Sequence, residues 1–329
     1  MKAANMNGKY QGDDLFINRL LNILTKNVPF SISDIKKIRK NVYYVETEHR
    51  PFMLKGYSSL KRLRLQESFT ASLKSEGFHR SYSFYQFTHS PIYLDQTYFG
   101  IMEFIEGHRE SFSYKSTANR KAGLALLHDF HKTTSRLSKR YTSAISKFKL
   151  LEKWQDREKQ FQKNLPVLRN YLSEQMIKEL LGWSKFALEG LKKENVDFGD
   201  KRKPVILHGD VAHHNFIKSK NGRLYLIDFD LISIGYMSED LLQYANRILP
   251  FIDWSLTDLA KYDYFDKYLS NRAFLYALIY PTDIFRELNR TINSKSSNLQ
   301  KKIRPIIEDM LDEFQLRHQF INDVKDMIK

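Results

Sequence analysis

The 329-residue chain has no cysteine. That excludes a disulfide framework, thiol redox chemistry and any zinc site built on thiolates. Long hydrophobic runs are missing as well: no segment approaches the ~20 apolar residues that would span a bilayer. The opening stretch, MKAANMNGKYQGDD, lacks the apolar core of a secretory signal, so the expected location is cytoplasmic. No internal repeat is visible, and the only low-complexity stretch is a short Ser/Asn/Lys-rich piece at 293–301, read as a loop. What is abundant points to a folded, globular chain: 42% hydrophobic and 14% aromatic residues argue against disorder, and the length allows a substantial buried core.

Acidic residues fall well short of basic ones, 38 against 53, for a net charge of +15. Such an excess attracts polyanions. Thirteen of the cations lie between Lys115 and Lys163, where the acids are Asp129, Glu152, Asp156 and Glu158. Part of this run, KWQDREKQFQKNL, reads as a mixed-charge amphipathic helix with a solvated face. No nucleic-acid motif accompanies it, so a specific nucleic-acid partner is not expected. An anionic acceptor or an anionic surface remains compatible with the charge.

Residues 205–230, VILHGDVAHHNFIKSKNGRLYLIDFD, carry the most chemistry. His208-Gly209-Asp210 is followed by Asn215 and, eighteen positions beyond Asp210, by Asp228-Phe229-Asp230. Between them Asn221-Gly222 marks a hairpin turn, since both residues tolerate positive φ. A catalytic loop, a hairpin and a closing aspartate form the arrangement of kinase-type sites, in which protein groups position phosphates and neutralise their charge. Magnesium takes hard oxygen ligands, which suits Asn215 and Asp228. Asp210 suits the role of accepting or orienting the acceptor hydroxyl proton. His208 reads as scaffold. His213 and His214 resemble metal ligands, but magnesium disfavours imidazole and no cysteine completes a zinc set.

A nucleotide-binding region is expected upstream. Residues 42–57 read as two strands around a polar turn, with Lys55 inside an apolar strand. An unpaired buried ammonium is costly, so Lys55 makes sense against phosphates and a carboxylate. The alternative is an edge lysine whose stem covers apolar surface. The helical stretch 60–77, closed by Gly77, supplies Glu67 as the carboxylate candidate, with Glu76 as competitor. The strand-like run 98–105 ends in Glu106-Gly107, and backbone groups near Glu103 and Ile105 are expected to hydrogen-bond adenine. Residues 122–134 are helical by period, with His128 and His131 towards one end. From about Pro250 the pattern is helix-rich, broken at Pro281.

In this order the motifs resemble the aminoglycoside phosphotransferase/choline kinase-like superfamily of small-molecule kinases, over most of residues 35–250. Within it the chain is most similar to spore-coat-associated kinase-like proteins of endospore-forming bacteria. The narrower likeness rests on the run through 92–107, on Phe130-His131-Lys132, and on Ile227-Asp228-Phe229-Asp230 followed by Asp240-Leu241-Leu242.

The resemblance implies an α+β, two-lobed protein-kinase-like fold: a small N-terminal antiparallel-sheet lobe with a helix over 1–106, and a larger, mostly helical lobe over 107–329. It implies an ATP- and Mg2+-dependent kinase acting on an alcohol group of a small molecule or saccharide. Asp210 would be the catalytic base, Asn215 and Asp228 the magnesium ligands, and Lys55 the phosphate contact paired with Glu67. Asp230 would assist, and Asp240 would order its helix locally. A location in the spore coat, with coat proteins as partners, and a non-catalytic scaffold role are the alternatives it brings. Two departures stand out: no glycine lies between Ser31 and Lys55, where a phosphate-covering loop is expected, and Ala212 stands where many members carry histidine.

Overall fold

The computed structural model describes residues 4–87, 90–200, 204–294 and 298–329, with side chains from residue 15 onward. The chain forms two compact units. One comprises residues 1–111 together with Phe216–Asp230; the other comprises Phe112–Asn215 and Leu231–Lys329. A single cut between residues 106 and 107 does not describe this division, because the hairpin after Asn215 returns to the first unit.

The first unit begins with helix α1 (Ala4–Asn27) and continues through β1 (Ile32–Arg39), β2 (Val42–Thr47), β3 (Phe52–Tyr57), α2 (Leu60–Ser75), β4 (Phe84–Tyr85), β5 (Ile92–Leu94) and β6 (Thr97–Glu103). The sheet is antiparallel in the order β1-β2-β3-β6-β4, with β5 also pairing β6. Local chemistry sets the turns: Asn41 takes φ 58° between β1 and β2, and Asp95 and Gln96 take φ 46° and 58° between β5 and β6. Two consecutive positive-φ residues match the twist of a two-residue hairpin. Strand alternation sorts the faces. Phe52 and Leu54 join Tyr43, Val45, Phe99 and Ile101 in a core shared with Leu20 and Leu24 of α1 and with Val28 just after it. Lys55, one residue on, faces the other way.

Helix α2 starts where Ser59 accepts a hydrogen bond from the Arg62 amide and stops at Gly77, whose φ of 92° is costly for any residue with a Cβ. Its buried face carries Leu63, Gln66, Phe69, Thr70 and Leu73. Gln66 donates to the Phe229 carbonyl at 2.8 Å, and Phe69 packs edge-on against the Phe229 ring. These contacts tie the end of the returning hairpin to α2.

In the second unit α3 (Thr117–Tyr141) and α4 (Leu150–Lys163) are followed by the helix Glu174–Lys193. The short strands Val205–Leu207 and Ser233–Gly235 pair antiparallel. The remaining helices include Met237–Ile248, Arg272–Ile279, Thr282–Asn293 and Leu299–Ile328. Pro281 separates two of them, as its pattern predicts, and the stretch from Asp253 is divided into shorter helices than its periodicity implies. Residues 295–297, the centre of the polar stretch, lie outside the described residues. Among the described residues no helix is long and apolar enough to cross a membrane.

Candidate active site

The residues singled out in the sequence form two clusters, one in each unit. In the first, Lys55 is buried and its ammonium lies 2.8 Å from Asp228 and 2.7 Å from Asp230. Arg39 reaches the other oxygen of Asp228 at 2.7 Å. Burial alone would raise the Asp228 carboxyl; Lys55 and Arg39 outweigh it and hold the group at about 2. Asp228 takes φ 69°, an uncommon backbone state for a residue with a Cβ. The Lys55 ammonium also lies 5.6 Å from the centre of the Tyr57 ring, whose phenol burial pushes far upward.

Glu67 is not the partner of Lys55. Its carboxylate pairs with Arg64, three residues earlier on α2, at 2.8 Å. The reason is local: positions three apart on a helix are neighbours, while Asp228 and Asp230 already occupy the ammonium. Glu76, the competing candidate, lies at the C-terminal cap of α2.

The segment after β6 runs along the hairpin formed by Phe216–Lys218 and Leu224–Leu226. His108 donates its amide to the Lys218 carbonyl at 2.7 Å, and Lys220 donates to the Glu106 carbonyl at 2.9 Å. Residues 103–106 wall one side of a cavity of about 370 Å³, and residues 219–221 with Tyr225 wall the other. The Glu103 amide is committed to the Ser83 carbonyl, whereas among the described residues the Ile105 amide has no hydrogen-bond partner.

In the second unit, the loop after Val205–Leu207 is shaped by Asp240. This fully buried carboxylate accepts from the His208 amide at 2.7 Å and the Gly209 amide at 3.0 Å, and meets the His131 Nε2 at 2.8 Å. Burial would raise the Asp240 carboxyl, but His131 and then His208 hold it below its ordinary value. Sequence reading assigned Asp240 to its own helix; its work is on a loop 32 residues earlier. The nearby Asp-Leu-Leu motif was visible, but nothing in it gave the distant partners.

Glycine is required at 209: φ is 78°, and a Cβ would come within 2.2 Å of the Leu231 carbonyl oxygen. The loop so held presents Asp210, half-exposed, with Arg247 3.4 Å from its carboxylate. Asn215, buried at the end of a 3₁₀ turn, donates its side-chain amide to the Asp210 carbonyl at 2.8 Å. That bond leaves its Oδ1 as an acceptor. Among the described residues no group of three or more His, Asp or Glu side chains, His213 and His214 included, is placed to hold a metal ion.

Asn215 Oδ1 in the second unit and the Asp228 carboxylate in the first are each hard oxygens of the kind magnesium takes. Lys55 and Arg39 each take one oxygen of Asp228, and a metal there would share an oxygen with one of them or displace it.

A family model described as the phosphotransferase enzyme family matches residues 32–277. Three solved structures have a similar fold. An aminoglycoside phosphotransferase from Alicyclobacillus acidocaldarius is 14% identical with a TM-score of 0.72, over 92% of this chain and 95% of that one. A spectinomycin phosphotransferase, solved with ADP and spectinomycin, is 14% identical with a TM-score of 0.63, over 92% and 98%. A choline kinase from Cryptosporidium parvum is 13% identical with a TM-score of 0.58, over 93% and 97%. No curated protein sequence matches this chain.

Proposed function

Because the chain belongs to the phosphotransferase enzyme family, we propose that it is an ATP-dependent kinase that transfers the γ-phosphate to a hydroxyl of a small molecule or saccharide. The observation that carries this reading is the buried Lys55 held on Asp228 and Asp230. A lysine in the interior of a strand, fixed against two carboxylates, is poised to exchange one of them for nucleotide phosphates. The related spectinomycin phosphotransferase was solved with ADP, which supports an adenine nucleotide here.

In the reaction the acceptor oxygen bonds to the γ-phosphorus as the bridging bond to the β-phosphate breaks. The bonding pair leaves with ADP, and the hydroxyl proton passes to the Asp210 carboxylate. Asp210 is proposed as the base, with Arg247 fixing its orientation. Lys55 would contact the phosphates, and the backbone at Glu103 and Ile105 would hold adenine beside the cavity they wall. Asn215 and Asp228 are the proposed magnesium ligands. Bound magnesium would neutralise charge on the phosphates. Glu67, engaged by Arg64, is left out of this set.

The narrower likeness to spore-coat-associated proteins leads to a second reading, a kinase-fold scaffold in the coat. Retention of Lys55, Asp210, Asn215 and Asp228 together favours catalysis, since a scaffold needs none of them. Calorimetric titration with ATP, with and without magnesium, separates the two. A kinase binds Mg-ATP, and at a hundredfold excess over Kd it gains about 2.7 kcal/mol of stability. Absence of nucleotide binding under both conditions would leave the scaffold reading.

A further inference from the structure

In the second unit, α4 and the helices Met237–Ile248 and Thr282–Asn293 border a cavity of about 50 Å³. That volume holds about three or four waters, enough for the head of a phosphate or carboxylate group. Four cations line it: Lys153 and Arg157, one turn apart on α4, with Arg247 and Arg286 from the other two helices.

The neighbouring carboxylates neutralise them only in part. Arg247 lies 3.4 Å from Asp210. Arg286 meets Glu287 at 3.0 Å, but Glu287 is also taken by Arg290. Asp283, which lines the cavity, is held by both terminal nitrogens of Arg317. Among the described residues Lys153 and Arg157 have no carboxylate partner: Lys153 lies 5.0 Å from the Phe148 ring centre, and Arg157 donates to the Thr282 hydroxyl. Burial, and then the nearby Arg286, lower both the Arg157 and the Arg247 guanidinium from their ordinary values. Lys153 is exposed, but the three guanidinium groups are half-buried, and like charges gathered and partly desolvated are costly unless a counter-charge arrives.

We propose that this cavity receives an oxyanion, phosphate or carboxylate, carried by the acceptor whose hydroxyl Asp210 activates. The inference rests on the kinase reading above and names the substrate class of that same site. Guanidinium groups match oxyanions with paired, charge-assisted hydrogen bonds. Arg247 joins the two functions, since it both lines the cavity and touches Asp210. A choline-like cationic acceptor would meet four like charges. The solvated, mixed-charge face expected for this helix therefore includes two residues turned to a site.

Titration of the full chain with inorganic phosphate and, separately, with acetate at constant ionic strength tests the proposal and distinguishes the two oxyanions. Wild type should bind at least one of them. Arg157→Gln/Arg286→Gln should weaken that binding by at least about tenfold, while Mg-ATP affinity stays unchanged. Arg157→Lys/Arg286→Lys, which keeps the charge but loses the paired hydrogen-bond geometry, should bind more tightly than the glutamine variant and more weakly than wild type, and guards against a folding artefact. Lys55→Met should leave anion binding intact, showing that it is not the nucleotide phosphate position. Equal anion binding in wild type and the glutamine variant, or none in wild type, overturns the proposal. Loss of Mg-ATP binding in wild type instead overturns the kinase reading.

Discussion

The Lys55 ammonium and the Asp228 carboxylate meet at 2.8 Å across 173 positions of sequence. The bond joins the middle of a strand to the residue that closes the returning hairpin. Lys55→Met should therefore weaken Mg-ATP binding by about tenfold or more, the scale of a lost charge-assisted contact. Calorimetry on a variant with a wild-type circular dichroism spectrum gives the answer, and unchanged affinity would refute the role.

The same pair has an acid signature. The folded-state Asp228 carboxyl sits at about 2, below its ordinary 3.8, so its stabilisation is present above about pH 4 and is lost as pH falls towards 2. The expected loss is about 2 kcal/mol. Asp228→Asn should flatten the stability curve over that window in denaturant titrations.

Asp210 and Asp228 should separate by function. Asp228→Ala removes a charged metal ligand and should abolish productive Mg-ATP binding. Asp210→Ala should leave nucleotide affinity near wild type and reduce turnover by ~10²–10⁴-fold, measured with any acceptor or by slow hydrolysis of ATP. Equal loss of nucleotide binding in both variants would show the roles to be misassigned.

Asp240→Asn should destabilise the second unit. It removes the charge that faces His131 and accepts two loop amides. Breaking a buried pair of this kind costs about 3–5 kcal/mol. A midpoint shift smaller than that of a typical surface substitution would contradict this account of the loop.

Glu239 runs the opposite way with pH. Burial pushes its carboxyl up to about 8, above its ordinary 4.5, so the folded chain holds a proton that the unfolded chain releases. Its contribution is complete below about pH 4.5 and declines as pH rises towards 8, by about 1.4 kcal/mol per pH unit at most. Glu239→Gln, which keeps an acceptor for the Tyr236 amide, should remove that decline. Stability profiles of the two proteins between pH 5 and 9 check the slope.

Much of this arrangement was legible because it is written locally. Asn221-Gly222 announced the hairpin, Gly77 the end of α2, and a lysine between apolar neighbours the special position of Lys55. Pairings across long separations were not legible. Helical spacing placed Glu67 near the right strand but could not show that Arg64 would claim it. Asp240 looked like a helix-start residue because capping is local, while its acceptor role reaches back to His208 and Gly209. Helix α1 is not legible in the sequence, which includes Gly8 and Gly12 and gives no strong apolar stripe before Leu15. Lys153 and Arg157 read as a solvated face because the helices that complete their cavity lie far along the chain.

The division of the chain has a consequence for its synthesis. The first unit includes Phe216–Asp230, so its last strands leave the ribosome roughly a hundred residues after the rest of it, on the order of ten seconds later at ordinary elongation rates. Until then, Lys55 has neither Asp228 nor Asp230 to meet, and the edge that receives Lys218 and Lys220 is bare. The amino-terminal portion is thus a nascent chain that must wait for a late-arriving piece, through most of the making of the part that separates them.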